Sequence, residues 1–137
     1  MRQLRKIIIV EDDVFSQDFY RLFFKKVGGE VHILENADEI IQTIQGGEID
    51  LILMDINLKN TVLGSRKMDG IRLARYIKEQ FHSYKIPILL VTAYPLSSFG
   101  ENVLEDSGAD DYLVKPIVDF NVLIDKINKL VVERNER

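Results

Sequence analysis

Five short apolar runs, separated by stretches with helical periodicity, constrain this chain more than any other feature. The runs are Lys6–Val10, Glu30–Leu34, 51–54, 86–91 and Asp111–Val114. Apolar runs of this length suit strands buried on both faces of a parallel sheet. After the first run, Phe15, Phe19, Leu22, Phe23 and Val27 recur at helical spacing as far as Gly28-Gly29, and these phenylalanines read as core. Asn36 followed by Glu39 resembles a capping box that opens a helix through Ile40, Ile41 and Ile44 to a stop at Gly46-Gly47. The spacing predicts a third helix over 69–81, burying Ile71, Ala74 and Ile77, and a weaker fourth between Ser97 and Ser107. A last helix starts at Asp119 as N-cap, with Phe120, Leu123, Ile124, Ile127, Leu130 and Val131 as its apolar stripe.

Strand then helix, repeated five times with right-handed crossovers, gives an α/β fold: a parallel sheet covered by helices on both faces. The expected architecture is a flavodoxin-like, doubly wound (βα)5 unit with a five-stranded sheet of order 2-1-3-4-5. That order sets the ends of the first and third strands side by side at the switch point, where open α/β sheets build their sites. The 137 residues suit one core, expected over 1–132, with a short polar tail at 133–137 that should fray. No repeat, low-complexity segment or linker interrupts the pattern.

The runs end in polar residues. Glu11-Asp12-Asp13 closes the first, Asp55 the third, Thr92 the fourth and Lys115 the fifth. Two carboxylates about 4 Å apart repel by roughly 4 kcal/mol at an effective dielectric of 20. Gathering several at one sheet edge calls for compensation, and the usual compensation is a divalent cation. Taken singly, the bland readings prevail: Asp55 as a capping or turn residue, Thr92 as a structural hydroxyl, Lys115 as a surface charge. The set of four positions favours a site. Asp13 reads as a helix cap. His32 and His82 lack ligand spacing and read as structural.

Composition excludes other classes. A net charge of −4 argues against nucleic acid as the main partner. The absence of cysteine rules out disulfide and thiol chemistry. The basic start, Met1-Arg2-Gln3-Leu4-Arg5-Lys6, precedes too short an apolar run for a signal peptide, and no stretch approaches a membrane span. A cytoplasmic domain is expected.

The segments IIIVEDD, LILMDINL, MDGIRLA, LLVTA and DYLVKP occur in that order across nearly the whole chain. Together they resemble the receiver domain of two-component response regulators, of the chemotaxis-regulator type. The resemblance implies Asp55 as phosphoacceptor, and Mg²⁺ (or Mn²⁺) held by Glu11, Asp12, Asp55 and the backbone carbonyl of Asn57, with Asp12 the more direct of the acidic pair. It implies Thr92 as the hydroxyl that bonds the phosphoryl group, Lys115 as its counter-charge, Thr92 and Tyr112 as the switch pair, and a cis Lys115–Pro116 bond. It further implies a histidine kinase or histidine phosphotransfer protein as donor. Output would pass to an unidentified protein over 100–107, 110–114 and the last helix, and homodimerisation on phosphorylation is a further expectation. No direct nucleic-acid binding by this chain and no membrane association are expected. The role is that of a phosphoacceptor with self-phosphorylation from small donors and autodephosphorylation at most, rather than of an enzyme.

One departure stands out. Relatives place the Gly of Met-Asp-Gly about eight residues past the phosphoacceptor; here Gly70 stands fifteen past Asp55, and the usual Pro is replaced near Lys59. The added residues are expected to bring Lys59, Arg66 and Lys67 near the site, tuning docking or shielding the acyl phosphate, unless a surface loop has simply grown. Tyr94, two residues past Thr92, is a candidate water screen. Two rivals remain. A phosphatase of the haloacid dehalogenase type would want an Asp where Asn57 stands. A degenerate, phosphorylation-independent module would be expected to lack active-site residues, and none is missing.

Overall fold

A computed structural model describes residues 5–100 and 102–135. The first four residues of the basic start, Glu101 in the expected output face, and the last two residues of the tail lie outside it. The order is β1 (Lys6–Val10), α1 (Val14–Val27), β2 (Glu30–Leu34), α2 (Ala37–Gln45), β3 (Leu51–Asp55), β4 (Val62–Leu63), β5 (Arg66–Lys67), α3 (Gly70–Gln80), β6 (Ile88–Thr92), α4 (Val103–Ser107), β7 (Asp111–Val114) and α5 (Phe120–Asn135). The five-stranded sheet runs β2-β1-β3-β6-β7, all parallel, which is the expected 2-1-3-4-5 order of the core strands. The short β4 and β5 pair antiparallel with each other, apart from that sheet.

Side chains of a strand alternate between faces, so the central strands feed two separate cores. Ile8, Val10, Ile52, Met54, Ile88 and Leu90 pack with Ile40, Ile44, Leu73, Ala74 and Ile77 of α2 and α3. Ile7, Ile9, Leu51, Leu53, Leu89 and Val91 pack with Tyr20, Phe23 and Phe24 of α1 and with Leu123, Ile127, Leu130 and Val131 of α5. All of β3 and β6 is buried, as strands covered on both faces must be.

The starts of α1, α2, α3 and α5 follow the capping chemistry, whereas α4 has no side-chain cap. Asp13 accepts from the Ser16 amide at 2.9 Å, Asn36 from Glu39 at 3.0 Å, Asp69 from Arg72 at 2.8 Å and Asp119 from Asn121 at 3.0 Å.

Several expectations need correction. The fourth strand starts at Ile88 rather than 86, because Pro87 has no N–H to give an interior strand. The fourth helix is split: a 3₁₀ turn at Leu96–Phe99 is followed by an α-helix of only five residues, Val103–Ser107, with Gly100 at φ +120° closing the turn. Phe15 is not core but 84% exposed, and Leu22 is exposed as well. The aromatic-rich α1 offers two overlapping stripes, and the one centred on Tyr20, Phe23 and Phe24 faces the sheet. The last helix, α5, continues to Asn135, past the expected domain bound at 132. Arg134 clamps that end, donating to the carbonyls of Lys85 at 3.0 Å and Tyr84 at 3.1 Å and lying 3.6 Å from the buried Asp50 carboxylate.

Candidate functional site

The carboxyl ends of β1, β3, β6 and β7 meet at the switch point and line a cleft of about 370 Å³. Glu11, Asp12, Asp13, Asp55, Asn57, Tyr94 and Lys115 all contribute to its walls. Oxygens of Glu11, Asp12 and Asp55 lie within 4.8 Å of one another. Glu11 is 1% exposed and Asp55 7% exposed, so little water screens their repulsion. Burial, followed by the neighbouring Glu11, pushes the Asp55 carboxyl up to about 7, against the opposing pull of Lys115.

Lys115 sits at the centre of this balance. Its Nζ is 2.7 Å from Glu11 Oε1, 3.3 Å from Ser16 Oγ and 4.0 Å from Asp55 Oδ1. The Lys115–Pro116 bond is cis, as expected. The backbone amide of Asn57 donates to Asp55 Oδ1 at 3.2 Å. Its side-chain Oδ1 is buried without a hydrogen-bond partner. An all-oxygen carboxylate set, with a buried oxygen beside it that lacks a donor, fits a hard divalent cation such as Mg²⁺ or Mn²⁺.

Close packing holds Asp55 where it is. The Gly70 amide donates to the Ile56 carbonyl at 3.0 Å, and a Cβ on Gly70 would stand 2.0 Å from the Asp55 carbonyl oxygen. The glycine of Met-Asp-Gly is therefore required by the approach of α3 to the end of β3.

The remaining expected residues fall into two groups. Thr92 is fully buried and its hydroxyl is turned to the backbone of Tyr94, donating to the carbonyl at 3.0 Å and accepting from the amide at 3.1 Å. Thr92 Oγ1 is thus engaged locally rather than offered to the cleft. Tyr112 is 38% exposed on the edge strand β7, so it is not a core aromatic. Tyr94, 55% exposed, lines the cleft mouth with its ring 6.4 Å from Phe99.

The added residues after Asp55 also divide. Lys59 and Asn60 line the cleft. Arg66 does not: it lies with Arg72, Arg75 and Tyr76 in a separate groove against α3. Lys67, paired with Val62 in the ribbon, does not line the cleft either. A two-stranded ribbon turns these residues outward, which a loop read only by length could not reveal. Sequence reading also missed Ser16, which touches Lys115 from the first turn of α1, and Tyr20, a buried phenol raised by burial and by the charges of Glu11 and Asp55. The signal for Ser16 was its place three residues past the capping Asp13, at the mouth of the same site.

Among the described residues, no helix is long and apolar enough to cross a membrane. The sequence is 30% identical over 133 residues to the CAI-1 autoinducer sensor kinase/phosphatase CqsS of Vibrio cholerae, covering 92% of this chain but 17% of that protein. Its fold matches a CheY-like response regulator receiver domain protein from Methanospirillum hungatei JF-1, with 27% identity, 98% of both chains covered and a TM-score of 0.76. It also matches the receiver domain of the sensor histidine kinase PA1611 from Pseudomonas aeruginosa PAO1, a structure with magnesium coordinated in its active-site cleft (26% identity, 94% of this chain and 98% of that one, TM-score 0.77). The response regulator receiver domain pattern spans residues 7–128, and the chain belongs to that family.

Proposed function

We propose that Asp55 is the phosphoacceptor of this two-component receiver domain, taking a phosphoryl group from a phosphohistidine of a histidine kinase or histidine phosphotransfer protein. The observation that carries the reading is the position of Asp55, at the end of the central strand, beside the Glu11 and Asp12 carboxylates and 4.0 Å from the Lys115 ammonium. An Asp55 oxygen attacks phosphorus as the P–N bond to the donor histidine breaks, and the freed imidazole takes up a proton. Such a transfer needs little covalent help from the protein; positioning and charge neutralisation dominate. Lys115 can turn from Glu11 to the incoming oxygens, and the Thr92 hydroxyl supplies a hydrogen bond once it leaves Tyr94. Glu11, Asp12, Asp55 and the Asn57 carbonyl would hold Mg²⁺, which supplies further positive charge at those oxygens.

The product adds roughly 1.5–2 negative charges beside residues already short of counter-charge. That is a sufficient bias for the short α4 and the strand β7 behind it, with Thr92 and Tyr112 as the moving pair. The output surface is then 100–107, 110–114 and α5, read by a protein partner or by a second copy of this chain. We place the domain in the cytoplasm, as a signalling component rather than an enzyme.

Incubation with a small acyl-phosphate donor and Mg²⁺, followed by intact mass, tests this directly. A single phosphate adduct is expected, absent from Asp55→Asn and absent when the cation is chelated. No adduct with any donor would support the phosphorylation-independent module instead.

A further inference from the structure

The residues added after Asp55 form an ordered ribbon, tied to the rest of the fold at three places. Leu58 and Met68, each 6% exposed, are buried in the core beneath it, and Leu63 packs against the same core. The Thr61 hydroxyl, itself 1% exposed, donates to the Glu35 carbonyl at 2.9 Å, while the Thr61 carbonyl accepts from the Met68 amide at 2.9 Å. The third tie is to the site itself. Asp12 Oδ2 accepts from the amides of both Lys59, at 2.6 Å, and Asn60, at 3.1 Å.

Hydrogen bonds from two amides to one ionised oxygen are short, strong and directional, so they fix the side chain that accepts them. Only Oδ2 of Asp12 is engaged in this way; the other oxygen makes no hydrogen bond among the described residues. Carboxylates that bind metals are commonly held by such outer partners, and loss of the partner weakens the metal as well as the carboxylate's order. Asp12 is less buried than Glu11 and Asp55, so without the ribbon it would have the most rotamer freedom of the three.

We propose that the inserted ribbon is a positioning element for a divalent cation: the amides of Lys59 and Asn60 hold Asp12 in the orientation that completes a site with Glu11 and Asp55. The inference rests on reading those three carboxylates as a cation site. Linkage then runs in both directions. If an ordered ribbon strengthens cation binding, the cation must stabilise the ribbon by the same factor.

The test uses the full, unphosphorylated chain. Mn²⁺ is titrated by the loss of its free electron-paramagnetic signal, and amide exchange is followed with and without saturating Mg²⁺. Lys59→Pro removes one donor to Asp12 without touching a carboxylate, and should weaken Mn²⁺ binding about tenfold. Thr61→Val, which frees the ribbon from Glu35 while leaving both amides in place, should weaken it less. In the wild type, Mg²⁺ should slow exchange at Lys59 and Asn60 more than in α1 or α2. Wild-type Mn²⁺ affinity in both folded variants overturns the proposal, as do ribbon amides indifferent to Mg²⁺; the latter reading needs no variant to fold. A wild type that takes up no Mn²⁺ removes the cation site and this linkage with it, whereas binding with an indifferent ribbon removes the linkage alone.

Discussion

The ammonium of Lys115 is paired with Glu11 at 2.7 Å, while Asp55 stands 4.0 Å away. Lys115 therefore compensates a buried carboxylate, and the proposed role toward a phosphoryl group would require it to leave that pair. Glu11, 1% exposed, has no other cation at that distance among the described residues.

Truncating Lys115 should accordingly cost stability as well as function. Removing one partner of a buried pair typically costs about 3–5 kcal/mol, because the other charge is left desolvated. Lys115 is partly exposed, so Lys115→Ala should fall at or below the lower figure, about 2–3 kcal/mol in urea unfolding. Adding Glu11→Gln should restore much of that loss, since it removes the orphaned charge. Strictly additive effects of the two substitutions would show that the pair is not coupled.

Asp55 gives the fold a pH dependence of unusual sign for a carboxylate. Its carboxyl is raised from 3.8 to about 7, so the native state holds the proton more tightly than the unfolded chain does. The resulting stability is fully present below about pH 4 and is lost as pH rises through about 7. Asp55→Asn removes the penalty of the ionised form. Without divalent cation, the variant should be more stable than wild type at pH 8 by a few kcal/mol and nearly equal to it at about pH 3.5. Thermal unfolding across that range checks the sign. A difference that does not change with pH would mean Asp55 titrates normally.

Gly70 lies outside the chemistry yet should be intolerant of any side chain. A Cβ there would meet the Asp55 carbonyl at 2.0 Å and the Ile56 Cα at 2.7 Å, and both contacts are backbone. Overpacking usually costs about 1–3 kcal/mol, and a clash with rigid main chain belongs at the upper end. Gly70→Ala should lower Tm and, in the protein that still folds, reduce phosphate uptake at Asp55 by displacing the end of β3. Unchanged uptake would show that α3 can retreat without moving the acceptor.

The architecture was legible because two periods dominate it: near-continuous apolar runs for strands covered on both faces, and helical spacing with caps between them. The candidate site was legible for the same reason, since Glu11, Asp55 and Lys115 each stand at or directly after a strand end and need only the strand order to converge, whereas the local turn of the Thr92 hydroxyl to Tyr94 was not. What escaped depends on contacts between distant segments. Arg134 sits in a polar tail with nothing nearby in sequence to hold it, and its partners are Asp50, Tyr84 and Lys85. Phe15 and Phe23 are both aromatic at helical spacing, and only the packed sheet decides that one is exposed and the other buried. The ribbon after Asp55 consists of two-residue strands around Gly64 at φ +63°, too short for periodicity to register. Its hold on Asp12 comes from backbone amides, which no side-chain pattern encodes.

Thr92 and Tyr94 supply a local reporter for the proposed switch. The Thr92 hydroxyl both donates to the Tyr94 carbonyl and accepts from the Tyr94 amide, closing a small ring at the end of β6. If the hydroxyl turns to bond a phosphoryl oxygen on Asp55, the Tyr94 amide loses its acceptor. Tyr94 is 55% exposed at the cleft mouth, so an amide that has lost its hydroxyl acceptor is left open to solvent. Treatment with a phosphoryl mimic such as beryllofluoride should therefore shift the Tyr94 amide resonance strongly and speed its exchange. In Thr92→Val the amide has no hydroxyl to lose, so its resonance should start displaced and respond little. Thr92→Ser, which keeps the hydroxyl, should behave as wild type. A Tyr94 amide that ignores the mimic in wild type would mean that Thr92 stays on the backbone, and the switch would have to run through another residue.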